Sequence, residues 1–455
     1  MDNTDTIAAP ITPEGTGAVG VIRISGADTF RIVDEIFSGK KPTEAKSHSI
    51  LFGLIKDGKE IIDEVLVSIF KNPASYTGED IAEISCHGSP YIMKRLLELI
   101  VRKGARIAQP GEFTFRAFMN GKMDLAQSEA VADLIASQSG ASHKIALQQL
   151  RGDFSNQITQ LREELIKFAS LLELELDFSE EDVEFADRDQ LVKLLREIKE
   201  IILSLMASFE YGNAIKNGVA TVIAGRPNAG KSTLLNAILQ EERAIVSEIA
   251  GTTRDTIEEQ INIKGILFRF VDTAGIRDTT DKIEKQGVER ALKKVELANI
   301  CIYLFDLSTS TEEDVLKDIS LLKKNTETPL ILVGSKKDLV ADNKLLKPKV
   351  SHEVLYISKT EKESVEALKE HLYQQVAAMK REAGSHILSN VRHYEALAKA
   401  GEAIDASIEG LLEDRSGELV AFDIKSALNN LGEITGSVST DDLLENIFRN
   451  FCIGK

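Results

Sequence analysis

A glycine-rich segment has the spacing and residue types of a phosphate-binding loop: Gly225-Arg226-Pro227-Asn228-Ala229-Gly230-Lys231-Ser232. The apolar run 219–224 before it predicts a buried parallel strand, and the apolar spacing in 233–239 after it predicts a helix. In this setting backbone N–H groups at the start of the helix bind phosphate oxygens, Lys231 neutralises their charge, and Ser232 ligates Mg²⁺. The other residues expected to contact the nucleotide here are Asn228, Ala229, Gly230 and Thr233. The segment therefore predicts a nucleoside triphosphate site.

Two segments further along the chain have the residues that surround the γ-phosphate and Mg²⁺ in GTPases. In the first, Gly251-Thr252-Thr253-Arg254-Asp255, Thr253 is placed to supply the second Mg²⁺ ligand. In the second, Asp272-Thr273-Ala274-Gly275, Asp272 can hold the water shell of the metal, and the N–H of Gly275 can approach the γ-phosphate. Their order after the phosphate-binding loop is typical of a GTPase.

Two strand ends have the residues that would select guanine. The predicted strand 330–334 leads into Ser335-Lys336-Lys337-Asp338, where Asp338 can accept hydrogen bonds from N1 and N2 of guanine, a pair of donors that adenine lacks. The predicted strand 354–357 ends at Ser358-Lys359, whose backbone could contact the guanine oxygen. GTPases usually have asparagine where this chain has Ser335, so we expect a weaker contact with guanine there. With Asp338 present, the predicted nucleotide is GTP rather than ATP.

The water-orienting glutamine of Ras-like GTPases is absent from its usual position. The residue after Gly275 is Ile276, which cannot orient a water molecule. Catalysis must therefore use another group, either a carboxylate of the following loop or a cation that takes the place of an arginine finger. The candidate carboxylates are Asp278, Asp281 and Glu284.

The hydrophobic pattern divides the 455-residue chain into domains that would position these segments. Residues 1–121 have strand-like runs separated by Gly and Pro and predict an α+β domain, whereas residues 122–214 lack such breaks and predict amphipathic helices. Residues 215–379 alternate strand and helix, as a parallel sheet requires, and the helical pattern returns in 380–455. The predicted fold is a multidomain α/β and α protein, with a Ras-like P-loop domain inserted into an all-α domain that follows the α+β domain.

Composition and charge exclude several classes of protein. A net charge of −17 argues against non-specific nucleic-acid binding, although one basic stretch could hold a structured RNA if it is not simply a solvated face. That stretch comprises Arg95, Arg102, Lys103, Arg106, Arg116 and Lys122. The three cysteines fit neither a disulfide framework nor a zinc site, and there is no secretory signal and no apolar run long enough to span a membrane. We therefore expect a cytoplasmic protein.

Motifs outside the predicted nucleotide site resemble those of the MnmE (TrmE) family of tRNA modification GTPases. They are segments 5–9, 20–26, 76–80, 87–88 and 110–122, and the final Phe451-Cys452-Ile453-Gly454-Lys455. The resemblance covers essentially the whole chain, and a generic small GTPase would have neither of its ends. It implies an N-terminal domain that is similar to tetrahydrofolate-binding folds and through which the protein forms a homodimer.

The resemblance also implies an activity and partners. With a flavin-dependent partner of the MnmG/GidA type, which would hold FAD, the protein would add a carboxymethylaminomethyl or aminomethyl group to carbon 5 of the wobble uridine in certain tRNAs. A 5,10-methylene-tetrahydrofolate would donate the carbon, and GTP hydrolysis would drive rearrangement. Two alternatives stay open: a regulatory GTPase of ribosome assembly, although no compact basic RNA-binding module is visible, and a folate-dependent aminomethyltransferase with an appended GTPase.

Residue roles follow from the same resemblance. The positions that match folate-contacting residues are Arg23, Glu83, Lys122 and Lys455. Asn228 matches an asparagine whose side chain ligates K⁺. The backbone oxygens expected to complete this potassium site are those of Ser247, Ile249 and Thr252. The ion would act at the phosphates like an arginine finger. Glu284 matches the glutamate that orients the attacking water, whereas Cys452 is expected near the folate site with its catalytic role left open. The remaining nucleotide contacts expected are Glu248, Ala250, Gly251, Thr273 and Ala274.

Overall fold

The computed structural model describes residues 5–177, 188–240, 259–271, 292–325, 328–349, 353–358, 361–383 and 386–455. The chain divides into two compact units. The first comprises Met1–Ile135, Gln148–Ala186 and Ser416–Lys455, and the second comprises Ala136–Leu147 and Asp187–Arg415. Among the helices of the described ranges, none is both long and apolar enough to cross a membrane.

The first unit is built on a seven-stranded sheet. Its strands are β1 (Ile7–Pro10), β2 (Val19–Ser25), β3 (Phe37–Ser38), β4 (Ser49–Asp57), β5 (Glu60–Phe70), β6 (Ile81–His87) and β7 (Arg106–Ile107). They lie in the order β3-β4-β5-β6-β2-β1-β7, and all neighbours are antiparallel except β1 and β7. Because successive side chains of a strand point to opposite faces, one set of residues forms the core and the other faces away from it.

The two faces of this sheet differ in character. On one face, α1 (Thr29–Ile36) and α2 (Pro90–Arg102) pack against the sheet and form an apolar core that includes Ile22 and Ile84. On the other face Arg23 of β2 lies opposite Glu83 of β6. The strand register places Phe52 and Leu66, which are 67% and 46% exposed, on this same face. The face that carries Arg23 is therefore polar at one end and apolar at the other.

Five helices complete the first unit. They are α3 (Glu112–Met119), α4 (Leu125–Ala136), α6 (Asp153–Asp177), α13 (Gly417–Thr435) and α14 (Asp441–Arg449). The buried residues of α13 recur every three or four positions, and they pack along α6. Phe448 of α14 packs on Phe115 of α3, with ring centroids 5.4 Å apart. The residues after α14 lie close to β1, where Gly454 is next to the carbonyl oxygen of Pro10.

The second unit contains a six-stranded sheet. Its strands are β8 (Val219–Ala224), β9 (Glu259–Ile263), β10 (Ile266–Val271), β11 (Ile300–Asp306), β12 (Leu330–Ser335) and β13 (Val354–Tyr356). They lie in the order β13-β12-β11-β8-β10-β9, and only β9 runs antiparallel to its neighbour. All residues of β8 and β11 are buried, as expected for central strands of a parallel sheet covered on both faces.

The helices of the second unit lie before, between and after these strands in the chain. They are α5 (Gly140–Leu150), α7 (Arg188–Ala207), α8 (Phe209–Asn217), α9 (Lys231–Gln240), α10 (Glu312–Asn325), α11 (Lys362–Glu382) and α12 (Val391–Leu412). Ile145 of α5 belongs to the same buried cluster as Phe268 of β10. α7 packs along α12, so the helical segments on either side of the P-loop region contact each other.

The predicted fold class is confirmed: an α+β sheet domain, a helical part and a parallel P-loop sheet are all present. The predicted strands 219–224, 330–334 and 354–357 are observed as β8, β12 and β13. The helices predicted over 122–214 divide between the two units, with α6 in the first and α7 and α8 in the second.

Candidate functional site

The phosphate-binding loop lies between β8 and α9, at the point where the strand order reverses. β8 has β10 on one side and β11 on the other, which is the usual position of ligand sites in parallel sheets. Gly225 has φ 151°, and a Cβ at this residue would lie 2.2 Å from the carbonyl oxygen of Leu304. Only glycine therefore allows the loop to pass this close to β11. Asn228, exposed at the tip of the loop, has a left-handed φ of 62°.

Lys231 is the first residue of α9, and it folds back over the loop. Its Nζ donates to the carbonyl oxygens of Gly225 and Arg226, at 2.7 and 2.9 Å. Ser232 and Thr233 follow in the first turn of α9 and are exposed, whereas Ala229 is buried. The loop thus presents a positive charge and the N-terminus of a helix at the same edge of the sheet, which suits a phosphate group.

Arg226 anchors the loop to α10. Its Nε lies 2.8 Å from Asp318, and its Nη1 lies 2.9 Å from Asp314. Asp318 also accepts a hydrogen bond of 2.8 Å from the hydroxyl of Tyr303, a residue of β11. Burial, and then this carboxylate, raise the pKa of Tyr303. This anchor was not predicted, because α10 lies far along the chain from the loop.

Ser335 joins the end of β12 to the phosphate-binding loop. It is 5% exposed, and its Oγ donates to the carbonyl oxygen of Ala229 at 2.7 Å and lies 3.2 Å from that of Phe305. The hydroxyl therefore fixes the loop against β11 and β12. The weaker guanine contact expected at Ser335 stays a prediction, and the structure adds a role that the sequence did not indicate.

Lys336, Asp338 and Ser358 lie at the same edge of the sheet. The Nζ of Lys336 donates to Asp306 at 2.6 Å. Burial opposes ionisation of Asp306, but hydrogen bonds from Lys336 and Ser308 hold its pKa below the ordinary value. Asp338 is exposed, and one of its carboxylate oxygens accepts a 2.9 Å hydrogen bond from Ser358. An exposed carboxylate held in this way can accept paired N–H donors from a base.

Several predicted site residues lie outside the described residues. They are Ser247, Glu248, Ile249, Ala250, Gly251, Thr252, Thr253, Asp272, Thr273, Ala274, Gly275, Glu284 and Lys359.

A second candidate site surrounds Arg23 in the first unit. Arg23 is 9% exposed, and its Nε and Nη2 lie 2.9 and 2.8 Å from the same carboxylate oxygen of Glu83. The guanidinium carbon lies 5.0 Å from the ring centre of Tyr76 and 5.5 Å from that of Phe113, within cation–π range. The buried Nη1 of Arg23 has no hydrogen-bond partner among the described residues. A buried, unpaired donor of this kind is costly and indicates a position for a ligand acceptor.

The end of the chain brings Lys455 to this site. The N–H of Phe113 donates to the carbonyl oxygen of Lys455 at 3.2 Å. Gly454 has φ 97°, and a Cβ there would lie 2.3 Å from the carbonyl oxygen of Pro10, so the last turn fits closely over β1. Burial, and then the charge of Arg23, lower the pKa of Lys455. The charge of Glu83 acts in the opposite direction on the same ammonium. Cys452 is exposed.

Lys122 borders the same region without a described contact to Arg23. It is exposed, and its Nζ donates to the carbonyl oxygen of Pro73 at 3.0 Å. Pro73 lies in the β5–β6 loop, which also carries Tyr76. Of the four predicted folate contacts, the structure therefore brings Arg23, Glu83 and Lys455 together, and Lys122, which lies between α3 and α4, is hydrogen-bonded to the loop of Tyr76. Tyr76 and Phe113 were missed as site residues, although both lie in motifs, 76–80 and 110–114, that carried the family resemblance.

Ion pairs neutralise five of the six cations of the basic stretch in the first unit. Arg95 pairs with Glu60, Arg102 with Asp57, and Lys103 with Glu35. Arg106 pairs with Asp5 and Glu112. Arg116 is 1% exposed, so the interpretation of this residue as part of a solvated face was wrong. These pairs leave little of the stretch available to an RNA backbone.

Comparison with known proteins gives matches over the whole chain. A model described as the MnmE helical domain matches residues 125–452, and one described as the GTP-binding protein TrmE N-terminus matches residues 6–122. The tRNA modification GTPase MnmE of Cytophaga hutchinsonii is 52% identical over 454 residues, covering 100% of this chain and 98% of the relative. The protein of the same name from Flavobacterium psychrophilum is 52% identical over 458 residues, with 99% of each chain covered.

A solved structure matches only locally. The G domain of the T. maritima FeoB iron transporter is 24% identical and covers 36% of this chain and 98% of its own, with a TM-score of 0.26. That likeness is too weak to support an argument. The full-length identity and the two domain matches are sufficient by themselves, and they agree with a P-loop sheet in one unit and a sheet bearing the Arg23 site in the other. The chain therefore belongs to the MnmE family of GTP-hydrolysing tRNA modification enzymes.

Proposed function

We propose that this chain hydrolyses GTP within a complex that adds a carboxymethylaminomethyl or aminomethyl group to carbon 5 of the wobble uridine of certain tRNAs. A tetrahydrofolate derivative would bind at Arg23 and supply the one-carbon unit. The observation that carries this proposal is the guanidinium of Arg23, buried between two aromatic rings with its Nη1 unpaired among the described residues. A GTPase that acted only as a switch would have no use for such a site in a separate unit.

The nucleotide site is proposed on the edge formed by the phosphate-binding loop and the ends of β12 and β13. Lys231 would neutralise the γ-phosphate, and Ser232 and Thr253 would ligate Mg²⁺, which supplies positive charge between the phosphates when bound. The exposed carboxylate of Asp338 fits the paired N–H donors of guanine. Thr253, Asp272 and Glu284 enter by sequence resemblance alone, since they lie outside the described residues.

Asn228 is proposed as the side-chain ligand of K⁺. It is exposed in the phosphate-binding loop, and its backbone is in the left-handed region. The amide oxygen is a suitable ligand for a hard cation. When bound, K⁺ would supply the positive charge that an arginine finger provides in other GTPases. The role fits the isoleucine at position 276, where the usual catalytic glutamine is missing.

The Arg23 site fits a reduced folate. Tyr76 and Phe113 offer flat apolar surfaces for a pterin ring, and the unpaired Nη1 of Arg23 can donate to its carbonyl oxygen or to a carboxylate. Lys455 adds a second cation beside Arg23. Lys122 could reach the glutamate portion of the ligand, and Cys452, three residues before Lys455, is exposed.

The proposed partners are a second copy of this chain, a flavin-dependent protein and tRNA. The apolar part of the sheet face that carries Arg23 has Ile50, Phe52 and Leu66 exposed, which supports a homodimer formed through this face. A flavin-dependent partner of the MnmG/GidA type would hold FAD and carry out the redox step, and tRNA would be the substrate of the complex.

Nucleoside analysis of tRNA tests this proposal. Cells that lack the protein should lose the aminomethyl-type group at the wobble uridine, and the wild-type gene should restore it. Arg23→Gln and Asp338→Asn should both fail to restore it, whereas the control Arg102→Gln, an exposed arginine of α2, should succeed. Unchanged wobble uridines in the deletion strain would instead favour the regulatory GTPase of ribosome assembly.

A further inference from the structure

A buried ion-pair network lies next to the Arg23 site, centred on Arg116 of α3. Arg116 is 1% exposed, and its Nη2 lies 2.6 Å from Asp5 and 3.1 Å from Glu112. Its Nη1 lies 3.3 Å from Glu79 and donates to the backbone oxygen of Asp5 at 2.7 Å. Arg106 joins the network from its half-exposed side through Asp5 and Glu112. Two cations and three carboxylates are thus held together in the first unit.

Stability alone is a poor explanation for this network. The cost of removing charges from water offsets most of the attraction between them, so apolar residues of the same volume would often serve as well. Buried charges with several partners do fix the positions of the segments that carry them. Those segments are the stretch just before β1 (Asp5), the loop between β5 and β6 (Glu79) and α3 (Glu112 and Arg116).

Two of these segments carry the aromatic rings of the Arg23 site. Tyr76 lies three residues before Glu79 in the β5–β6 loop, and Phe113 directly follows Glu112 in α3. The hydroxyls of Tyr76 and Thr114 lie 2.8 Å apart, which links the loop and α3 a second time. Ser25 of β2 also donates to the carboxylate of Glu79, at 2.7 Å. Arg116 is therefore the cation that ties the loop of Tyr76 to the helix of Phe113.

We propose that Arg116 is a positioning residue for the Arg23 site. By joining Glu79 to Glu112, it sets the separation of the two rings and the direction of the unpaired Nη1 of Arg23, without contacting the ligand itself. The proposal rests on the folate binding proposed above for this site. It assigns a function to a buried arginine that neither holds the nucleotide nor faces solvent.

Arg106 provides a matched control within the same network. It shares Asp5 and Glu112 with Arg116, yet its described bonds do not include Glu79. Arg106→Gln removes one guanidinium from the network and leaves the loop of Tyr76 tied to α3 through Arg116. A structural role would make the two arginines equivalent for ligand binding, whereas the positioning role would not.

Calorimetric titration of the full chain with 5-formyltetrahydrofolate tests the proposal. Arg116→Lys should weaken binding at least about tenfold, because small displacements of positioning groups have effects of this size. Glu79→Gln, a milder variant, should weaken it in the same direction. Arg106→Gln should change the dissociation constant by no more than about twofold, the size of a minor surface effect. Equal losses for Arg116→Lys and Arg106→Gln, or none for Arg116→Lys and Glu79→Gln, would overturn it.

A fluorescence measurement keeps the test separate from the proposed ligand. The chain has no tryptophan, so Tyr76→Trp introduces a single reporter in the loop. Without ligand, Arg116→Lys in this background should increase acrylamide quenching of the reporter, and Arg106→Gln should not. If the wild-type chain binds no folate, the proposed function is wrong. The quenching of the tryptophan reporter still tests whether Arg116 positions the loop, because it is measured without ligand. Unchanged quenching in folded Arg116→Lys would overturn that role, and Glu79→Gln replaces it if the lysine variant does not fold.

Discussion

The nucleotide edge of the second unit and the Arg23 site of the first unit are built in opposite ways. The nucleotide edge consists of one continuous loop and the ends of neighbouring parallel strands, held largely by bonds to backbone oxygens such as those from Lys231 and Ser335. The Arg23 site gathers side chains from four distant parts of the chain and ends with Lys455. The difference teaches that a contiguous site can be recognised from sequence, whereas a dispersed site depends on the supporting structure around it.

The two sites should also respond differently to mutation. At the nucleotide edge, Asn228 and Asp338 are exposed, so their replacement should alter chemistry with little effect on folding. At the Arg23 site, the central arginine is 9% exposed and lies next to the buried ion-pair network of Arg116. Substitutions there should therefore change the geometry of the site and the stability of the fold as well.

The largest expected effect is a loss of GTP turnover that leaves folate binding unchanged. Lys231→Ala removes the charge at the phosphate-binding loop, and it should lower GTP turnover by about 100-fold or more, as loss of a transition-state charge partner does. Folate binding should be unchanged, because Arg23 belongs to the other unit. Phosphate release and calorimetric titration measure the two quantities, with the exposed Lys317→Ala as control. Turnover within a few-fold of wild type would contradict the assignment of Lys231.

The next prediction concerns the cation at the loop. Wild-type GTP turnover should be at least about tenfold higher in potassium than in sodium, since a cation in the place of an arginine finger contributes strongly to the rate. Asn228→Ala should remove that difference because it deletes the proposed side-chain ligand. Phosphate release in the two chloride salts at equal ionic strength measures the effect. Equal wild-type rates in both salts would remove the basis for a potassium site.

A smaller effect is expected at Ser335. Ser335→Ala deletes the 2.7 Å hydrogen bond to the carbonyl oxygen of Ala229. Because a hydrogen bond of this kind contributes about 1 kcal/mol, KM for GTP should rise by about fivefold. Ser335→Asn tests the other role, since an amide that adds a contact with guanine should lower KM for GTP relative to wild type. A KM unchanged by Ser335→Ala would show that the loop does not depend on this contact.

The smallest expected effect is a pH dependence of stability in the first unit. Hydrogen bonds from Arg106 lower the pKa of Asp5, and the same guanidinium lowers the pKa of Glu112 although burial opposes it. Carboxyl groups with a lowered folded-state pKa stabilise the fold above their unfolded pKa, and this stabilisation is lost as the pH falls from about 5 to about 3. Thermal midpoints across this range should fall less steeply for Glu112→Gln than for wild type. Identical slopes would contradict the prediction.

Much of the second unit could be predicted from local sequence. The apolar run 219–224 is observed unchanged as β8, and Asp338 does lie at the end of a parallel strand beside the loop. These features are short-range, because strand alternation, glycine spacing and strand ends are all encoded by neighbouring residues. The anchor from Arg226 to Asp314 and Asp318 was not predictable, since it depends on how α10 packs beside the loop.

In the first unit, the assembly of the Arg23 site could not be predicted from the sequence. Arg23, Glu83 and Lys455 were named from family resemblance, and their proximity became visible only through the β2–β6 register and the return of the chain end over β1. Tyr76 and Phe113 lie in recognised motifs, but no periodicity shows that their rings flank one guanidinium. In the sequence, Arg116 could not be distinguished from the other cations of the basic stretch. The residues around a charged side chain in the sequence do not show whether that side chain is buried.

The central claim is that one chain holds a folate site and a nucleotide site in separate units. Equilibrium titration of the purified chain with 5-formyltetrahydrofolate, without nucleotide, tests it most directly. We predict saturable binding to wild type and to Lys231→Ala. Arg23→Gln should bind at least about tenfold more weakly, because it removes a charged donor worth about 1.5–3 kcal/mol. Absence of binding to wild type, or equal affinity of Arg23→Gln and wild type, would contradict the account.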